Sequence, residues 1–201
     1  MRLHRRLVLC VAFAAFAATP AVAQQAGQVI QGVTVVDGPI YVTTYAEVVP
    51  SANNAALAAL RDYRAAAAKE QGLQQIDVFQ EQGQTHRCLV AEIWRNRATA
   101  SAHQSAASLK ALADKLKPVA LGPLDFRVHQ AHAVTPPKPS TPAGIVVISH
   151  ADVAGGNTQN LIRAFAPLSE GSQKEAGMLR YEILRSEEHT SELQSRFGIS
   201  Y

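Results

Sequence analysis

Residues 73–94 read Leu-Gln-Gln-Ile-Asp-Val-Phe-Gln-Glu-Gln-Gly-Gln-Thr-His-Arg-Cys-Leu-Val-Ala-Glu-Ile-Trp. Two strand-forming runs, Leu73 to Gln80 and His86 to Trp94, flank Glu81-Gln82-Gly83-Gln84, whose glycine and polar neighbours suit a tight turn. The pair therefore reads as an antiparallel hairpin. Period-two alternation along its second strand puts Cys88, Val90, Glu92 and Trp94 on one face, so a carboxylate sits beside an indole.

Working outward, Ile40 to Val48 also alternates. Tyr41, Thr43, Tyr45 and Glu47 share one face, and Val42, Thr44, Ala46 and Val48 the other. Pro50-Ser51 ends that strand, and Ser51 is placed to cap a helix whose apolar side runs through Leu57, Leu60, Tyr63 and Ala67 before Gly72 stops it. Beyond the hairpin, spacing predicts a second helix from about Arg97 to Lys117. It would bury Ala102, Ala106, Leu109, Leu112, Ala113 and Leu116, with Pro118 as the stop. Leu124 to Gln130 supplies a last strand. The order βαββαβ predicts an α+β, ferredoxin-like module over residues 39–131, two helices covering one face of a four-stranded antiparallel sheet.

Residues 132–143, centred on Val-Thr-Pro-Pro-Lys-Pro-Ser-Thr-Pro, form a Pro-rich linker. After it the first module begins again. Tyr45-Ala46-Glu47-Val48 matches His150-Ala151-Asp152-Val153, and Lys69-Glu70-Gln71-Gly72-Leu73 matches Lys174-Glu175-Ala176-Gly177-Met178, both at an offset of 105 (150 − 45 and 177 − 72). One offset over strand, helix and next strand points to duplication, with residues 144–184 a truncated second copy, βαβ. The correspondence stops after Leu184. The tail, 185–201, opens Arg-Ser-Glu-Glu-His-Thr-Ser-Glu-Leu-Gln-Ser and resembles read-through translation of a sequencing adapter, so it is set aside from fold reasoning. Residues 144–184 are then expected to dock loosely, lacking strand partners.

The N-terminus has Arg2, Arg5 and Arg6, an apolar run from Leu7 to Ala18, and Ala21-Val22-Ala23 before Gln24. This reads as a signal peptide, 1–23, cleaved after Ala23, followed by an extended lead-in, 24–38. The expected location is periplasmic or secreted, with no membrane span. The leader also accounts for the net charge of +3, since without its three arginines 16 basic residues balance 16 acidic ones. A nucleic-acid partner loses its support. Cleavage leaves Cys88 alone among strand formers, where it reads as a small core hydrophobe. His129 and His132 are spaced as a metal pair, but no third ligand accompanies them, and no metal is expected.

Four features occur in order: Ala-Glu-Val-Val-Pro ending strand one, Lys-Glu-Gln-Gly-Leu ending helix one, Ala91-Glu92-Ile93-Trp94 ending strand three, and Ala102-His103-Gln104-Ser105 in helix two. Together they resemble the antibiotic biosynthesis monooxygenase (ABM) family, and in particular its quinol monooxygenase-like members, in which Glu-x-Trp is followed nine residues later by His. Trp94 and His103 keep that spacing. The resemblance covers about Ile40 to Gln130, with Ile145 to Leu184 as the opening of a second module.

The resemblance implies sheets that pair into a barrel, by pairing of modules within one chain or by self-association as a dimer. It also implies a small aromatic substrate, a quinol or relative, between sheet and helices, oxidised with O₂ and with no cofactor. An electron-rich ring, once deprotonated, can itself pass an electron to O₂, so the protein needs a dry pocket, a base and an oxyanion donor. His103 is the candidate base, Trp94 and Glu92 line and orient the substrate, and Tyr45 and Arg64 are candidate polar contacts. Thr43 and Thr44 stand where haem-degrading relatives carry Asn, which ranks that activity low. Plainer readings remain open: His103 as a packing histidine, Trp94 as a core residue, and the whole as a non-catalytic dimeric α+β barrel binding a small apolar ligand.

Overall fold

The computed structural model describes residues 38–134, 144–152 and 157–187, and the backbone of 192–199. The leader, the lead-in before Gly38 and residues 135–143 of the linker lie outside the described residues. In chain order the elements are β1 (Ile40–Glu47), α1 (Asn53–Ala67), β2 (Leu73–Gln80), β3 (Arg87–Trp94), α2 (Arg97–His103), α3 (Ala107–Leu116), β4 (Asp125–Val134), β5 (Ile145–Asp152), α4 (Thr158–Ser172), β6 (Met178–Ser186) and β7 (Glu192–Ile199). The fold is α+β and ferredoxin-like, and β5-α4-β6 is consistent with a second, partial βαβ copy. No helix among the described residues is long and apolar enough to cross a membrane.

The seven strands form one antiparallel sheet in the order β2-β3-β1-β4-β6-β7-β5. The hairpin forms as its turn predicts, with Val78 opposite Val90 and Gln80 opposite Cys88. On one face, Ala56, Leu60, Tyr63 and Ala67 of α1 and Leu109, Leu112 and Leu116 of α3 close over Ala46, Val48, Ile76, Cys88 and Val90. Cys88 is an ordinary part of that core, and burial pushes its thiol up.

The sheet is curled. Tyr45 of β1 and His150 of β5 lie four strands apart in the order, which would separate them by about 19 Å in a flat sheet. Their ring centroids are 5.9 Å apart. Leu184 of β6 likewise packs on Tyr41 and Ile93 across the inner face. The strands before and after the Pro-rich stretch thus meet within one chain, β4 pairing with β6 from His129 to Val134. That pairing carries β4 to Val134, beyond the expected strand end at Gln130 and into the stretch read as linker.

Three expectations change. Ser51 does not cap α1: Pro50–Ala52 form a 3₁₀ turn, and α1 starts at Asn53 with Ala52 at its cap. The predicted helix 97–117 is two helices broken at 104–106, where Ser105 Oγ donates to the Ala102 carbonyl and Ala106 is extended. The break shifts the helical phase, so His103 and Ala100 are buried whereas the expected Ala102 is exposed. The set-aside tail supplies β7, paired on both sides by β5 and β6, so 145–184 does not lack strand partners. Leu193, Phe197 and Ile199 keep an odd-numbered alternation that suits a strand.

Gly72 joins α1 to β2 with φ of +92°, and Gly177, 105 residues on, has φ of +86°. A Cβ at Gly72 would collide with the side chain of Thr99, which forms a reciprocal capping box with Asn96 at the start of α2. We expect Gly72→Ala to lower unfolding stability by about 2 kcal/mol through the left-handed backbone and the clash. A urea midpoint equal to that of the parent protein would contradict this.

His129 of β4 pairs with Tyr41 on the inner face and is fully buried. Burial, then the nearby His150 and Arg127, bring its pKa down from 6.5 to about 4. The fold therefore favours the neutral ring. The benefit is complete above about pH 6.5 and is lost as the pH falls towards about 4, roughly 3 kcal/mol in all. Urea unfolding at stepped pH should show this loss in the parent protein and a shallower slope in His129→Phe. Parallel slopes would refute the assignment.

Candidate active site

The site grows from the end of β3. Because Glu92 and Trp94 are two residues apart on one face, the indole Nε1 donates to Glu92 Oε2 at 3.0 Å. Both side chains are buried under the helices. Tyr63 lies on the buried stripe of α1, and its hydroxyl, which cannot stay unpaired in an apolar interior, donates to Glu92 Oε1. The same hydroxyl is 2.7 Å from His103 Nε2. His103 ends α2, and its Nδ1 is 2.7 Å from Glu70 Oε2, from the turn after α1. Ser108, in the first turn of α3, donates to Glu70 Oε1.

The result is a continuous chain, Glu92 to Tyr63 to His103 to Glu70, drawn from β3, α1, α2 and the α1–β2 turn. The His103 ring stacks on Trp94, with centroids 4.5 Å apart and planes inclined by 29°. His103 Nε2 is also 3.8 Å from Glu92 Oε2. The Tyr63 hydroxyl is held protonated: burial first, then the Glu92 charge and hydrogen bond, and then Glu70, push its pKa well above the ordinary 10.

Glu92 and His103 reach a cavity of about 70 Å³ whose apolar walls include Ile40, Val42, Phe126 and Val128. At its mouth Arg97 of α2 makes a bidentate ion pair with Glu187, just beyond β6. Chemically, the cavity offers a buried carboxylate and an imidazole; Trp94, expected to line it, lies behind them instead, stacked on His103 and bonded to Glu92.

Of the five residues singled out from the sequence, the structure brings together His103, Trp94 and Glu92. Tyr45 is elsewhere. It lies on the opposite sheet face, 2.8 Å from His150 Nε2 and under the Arg127 guanidinium at 5.2 Å, in a cleft of about 890 Å³ that Phe79, Leu89 and Ile148 also line. Strand alternation forces this: Tyr45 is odd-numbered on β1, whereas the helices cover Val42, Ala46 and Val48. Arg64 is exposed on α1 and lines neither cavity, because one residue on a helix turns the side chain by about 100° from Tyr63.

Tyr63, Glu70 and Ser108 are the site residues that the sequence reading passed over. A tyrosine in an apolar helix stripe is itself a signal, since its hydroxyl needs a buried partner. Glu70 and Ser108 carry no such mark. As for metals, no three His, Cys, Asp or Glu side chains among the described residues are arranged so that they could hold an ion together.

Comparison with known proteins agrees with this architecture. The family model described as antibiotic biosynthesis monooxygenase matches residues 39–115. No curated protein matches the chain significantly in sequence. Among solved structures, a protein of Fusobacterium nucleatum subsp. nucleatum that is provisionally named a monooxygenase shares the fold. Its TM-score is 0.71 at 16% identity, over 82% of this chain and 76% of its own. A second protein with the same provisional name, from Lactobacillus acidophilus, aligns with a TM-score of 0.66 at 10% identity, over 82% of this chain and 78% of its own. Both likenesses span more than the first module, and at these identities they speak for the fold. The stretch that matches the antibiotic biosynthesis monooxygenase family model, residues 39–115, takes in the hairpin, the helices over it and the Glu92–Trp94–His103 cluster.

Proposed function

We propose that the first module oxidises a quinol or related small, electron-rich aromatic with O₂ to a hydroxylated quinone, one oxygen atom entering the ring and the other leaving as water, with the substrate itself supplying all four electrons. The observation that supports it is the pairing of Glu92 and His103 at a small, largely apolar cavity, with Trp94 stacked behind His103. In this reading the Glu92 and His103 pair takes the hydroxyl proton of the substrate, Trp94 backs the imidazole, and exclusion of water by the apolar walls strengthens the charge interactions. The ABM match of residues 39–115 favours the same reaction class.

Size sets a condition. A cavity of about 150 Å³ is known to hold benzene, and the present one has about 70 Å³. A ring enters once α2 moves outward, and the Arg97–Glu187 pair is what that movement has to part. The larger cleft of about 890 Å³ at Tyr45 favours a second reading, a barrel that binds an apolar ligand without turnover. Export to the periplasm or medium, read from residues 1–23, belongs to the proposal in either case.

Oxygen uptake with a panel of hydroquinones tests the first reading. The parent protein should turn over, and His103→Ala and Glu92→Gln should each lose about 10²-fold or more in kcat. No uptake by the parent protein, accompanied by saturable quenching of Trp94, the single tryptophan, would replace oxidation with binding. Equal turnover by His103→Ala and the parent would remove His103 from the chemistry.

A further inference from the structure

The chain of hydrogen bonds through the first module runs from the cavity to solvent. The Glu92 side chain, 1% exposed, lines the cavity, and the Glu70 side chain at the other end is 24% exposed. Between them each link is short: Tyr63 to Glu92, Tyr63 to His103 at 2.7 Å, and His103 to Glu70 at 2.7 Å. We propose that Glu92, Tyr63, His103 and Glu70 form a proton relay that carries a proton taken up in the cavity out to bulk water.

Counting donors shows why the chain can do this. Every link needs one proton, and two arrangements with the same total satisfy all of them. In one, Glu92 is ionised, Tyr63 donates to it, and both His103 nitrogens carry protons, Nε2–H donating to the Tyr63 oxygen and Nδ1–H to Glu70. In the other, Glu92 carries a proton and donates to Tyr63, Tyr63 donates to Nε2, and only Nδ1 of His103 is protonated. Moving between the two shifts one proton along each of two links and leaves no donor or acceptor bare. Starting from the second arrangement, in which Glu92 holds the proton taken up in the cavity, transfer through Tyr63 gives the first arrangement, and the Nδ1 proton then passes to Glu70 and on to water. His103 is left protonated on Nε2 alone, and exchange of that proton from Nε2 to Nδ1 resets the chain for the next proton at Glu92.

Tyr63 acts here by giving one proton while accepting another, never as a phenolate, which agrees with its raised pKa. The surroundings hold the wire in place. Trp94 Nε1–H fixes Glu92 Oε2, and Ser108 fixes Glu70 Oε1. The other charged groups at the cavity, Arg97 and Glu187, are paired with each other. Tyr63, and Glu70 with it, are therefore relay residues rather than groups that touch substrate. The catalytic use of the relay rests on the proposed oxidation, but its existence does not.

The test uses the full chain and Glu70→Gln, whose amide oxygen keeps an acceptor for His103 and whose NH₂ can donate to the Ser108 hydroxyl, yet which cannot carry a proton. In the NMR spectrum, the His103 Cε1–H signal of the parent protein should move through its titration as one averaged peak. In Glu70→Gln it should split into two slowly exchanging peaks that merge again as formate or imidazole buffer is raised. A purely structural Glu70 would leave one peak at every buffer concentration, and that result overturns the relay. Tyr63→Phe gives the complementary arm. It should leave His103 in fast exchange while slowing proton exchange at the Glu92 carboxyl, read from its ¹³Cδ signal, and an unchanged Glu92 signal also overturns the proposal. If quinol turnover occurs, Glu70→Gln should lower kcat by about tenfold or more at unchanged KM, with recovery in buffer. Split peaks without any quinol turnover in the parent protein would uphold the relay and sink the oxidase reading instead.

Discussion

A carboxylate buried beneath two helices has to be satisfied where it stands, and Glu92 is satisfied by an indole from its own strand and a phenol from α1. An unpaired charge at this depth would cost several kcal/mol, and removing a partner from a buried charge typically costs about 3–5 kcal/mol. The requirement therefore links three elements at once. It keeps Trp94 on the helix side of β3, holds α1 at the distance at which Tyr63 reaches the sheet, and brings the end of α2 to Tyr63 through His103. Apolar packing elsewhere in this core is tolerant of small shifts, whereas hydrogen bonds to a charge are directional.

The second constraint is the curl of the sheet. It gives β1 and β3 two buried faces with different duties: the outer face carries helices and the polar chain, and the inner face carries Tyr41, Ile93 and Leu184 and opens into the large cleft at Tyr45. Neighbouring residues on β1 thus belong to separate chemical environments. His129 shows the consequence on the inner face, where a ring with no room for charge is held neutral. On the outer face a similar ring is flanked by two carboxylates, those of Glu70 and Glu92.

Much of this was legible in the chain itself. The alternation in Ile40 to Val48 and His86 to Trp94, the turn at Gly83 and the stop at Gly72 determine βαββαβ, because period and turn chemistry are local properties. The association of Glu92 with Trp94 is local too. What could not be read was the phase of α2. The apolar stripe Ala102, Ala106, Leu109, Leu116 describes one straight helix in which His103 points about 100° away from the core. The break at 104–106 turns it inward, and that choice is made by Tyr63 and Glu70, which lie 40 and 33 residues away.

The sequence by itself determined β1 to β4 and α1, their order and the face on which each of those strand residues lies, since these depend on neighbours within a few positions. Tertiary structure alone decided that Tyr45 and Arg64 stand apart from His103, that Tyr63 and Glu70 join it, and that β4 meets β6. Those outcomes depend on how a twisted sheet curls and on where a buried charge finds its donors. Both are relations across the fold, which no window of sequence contains.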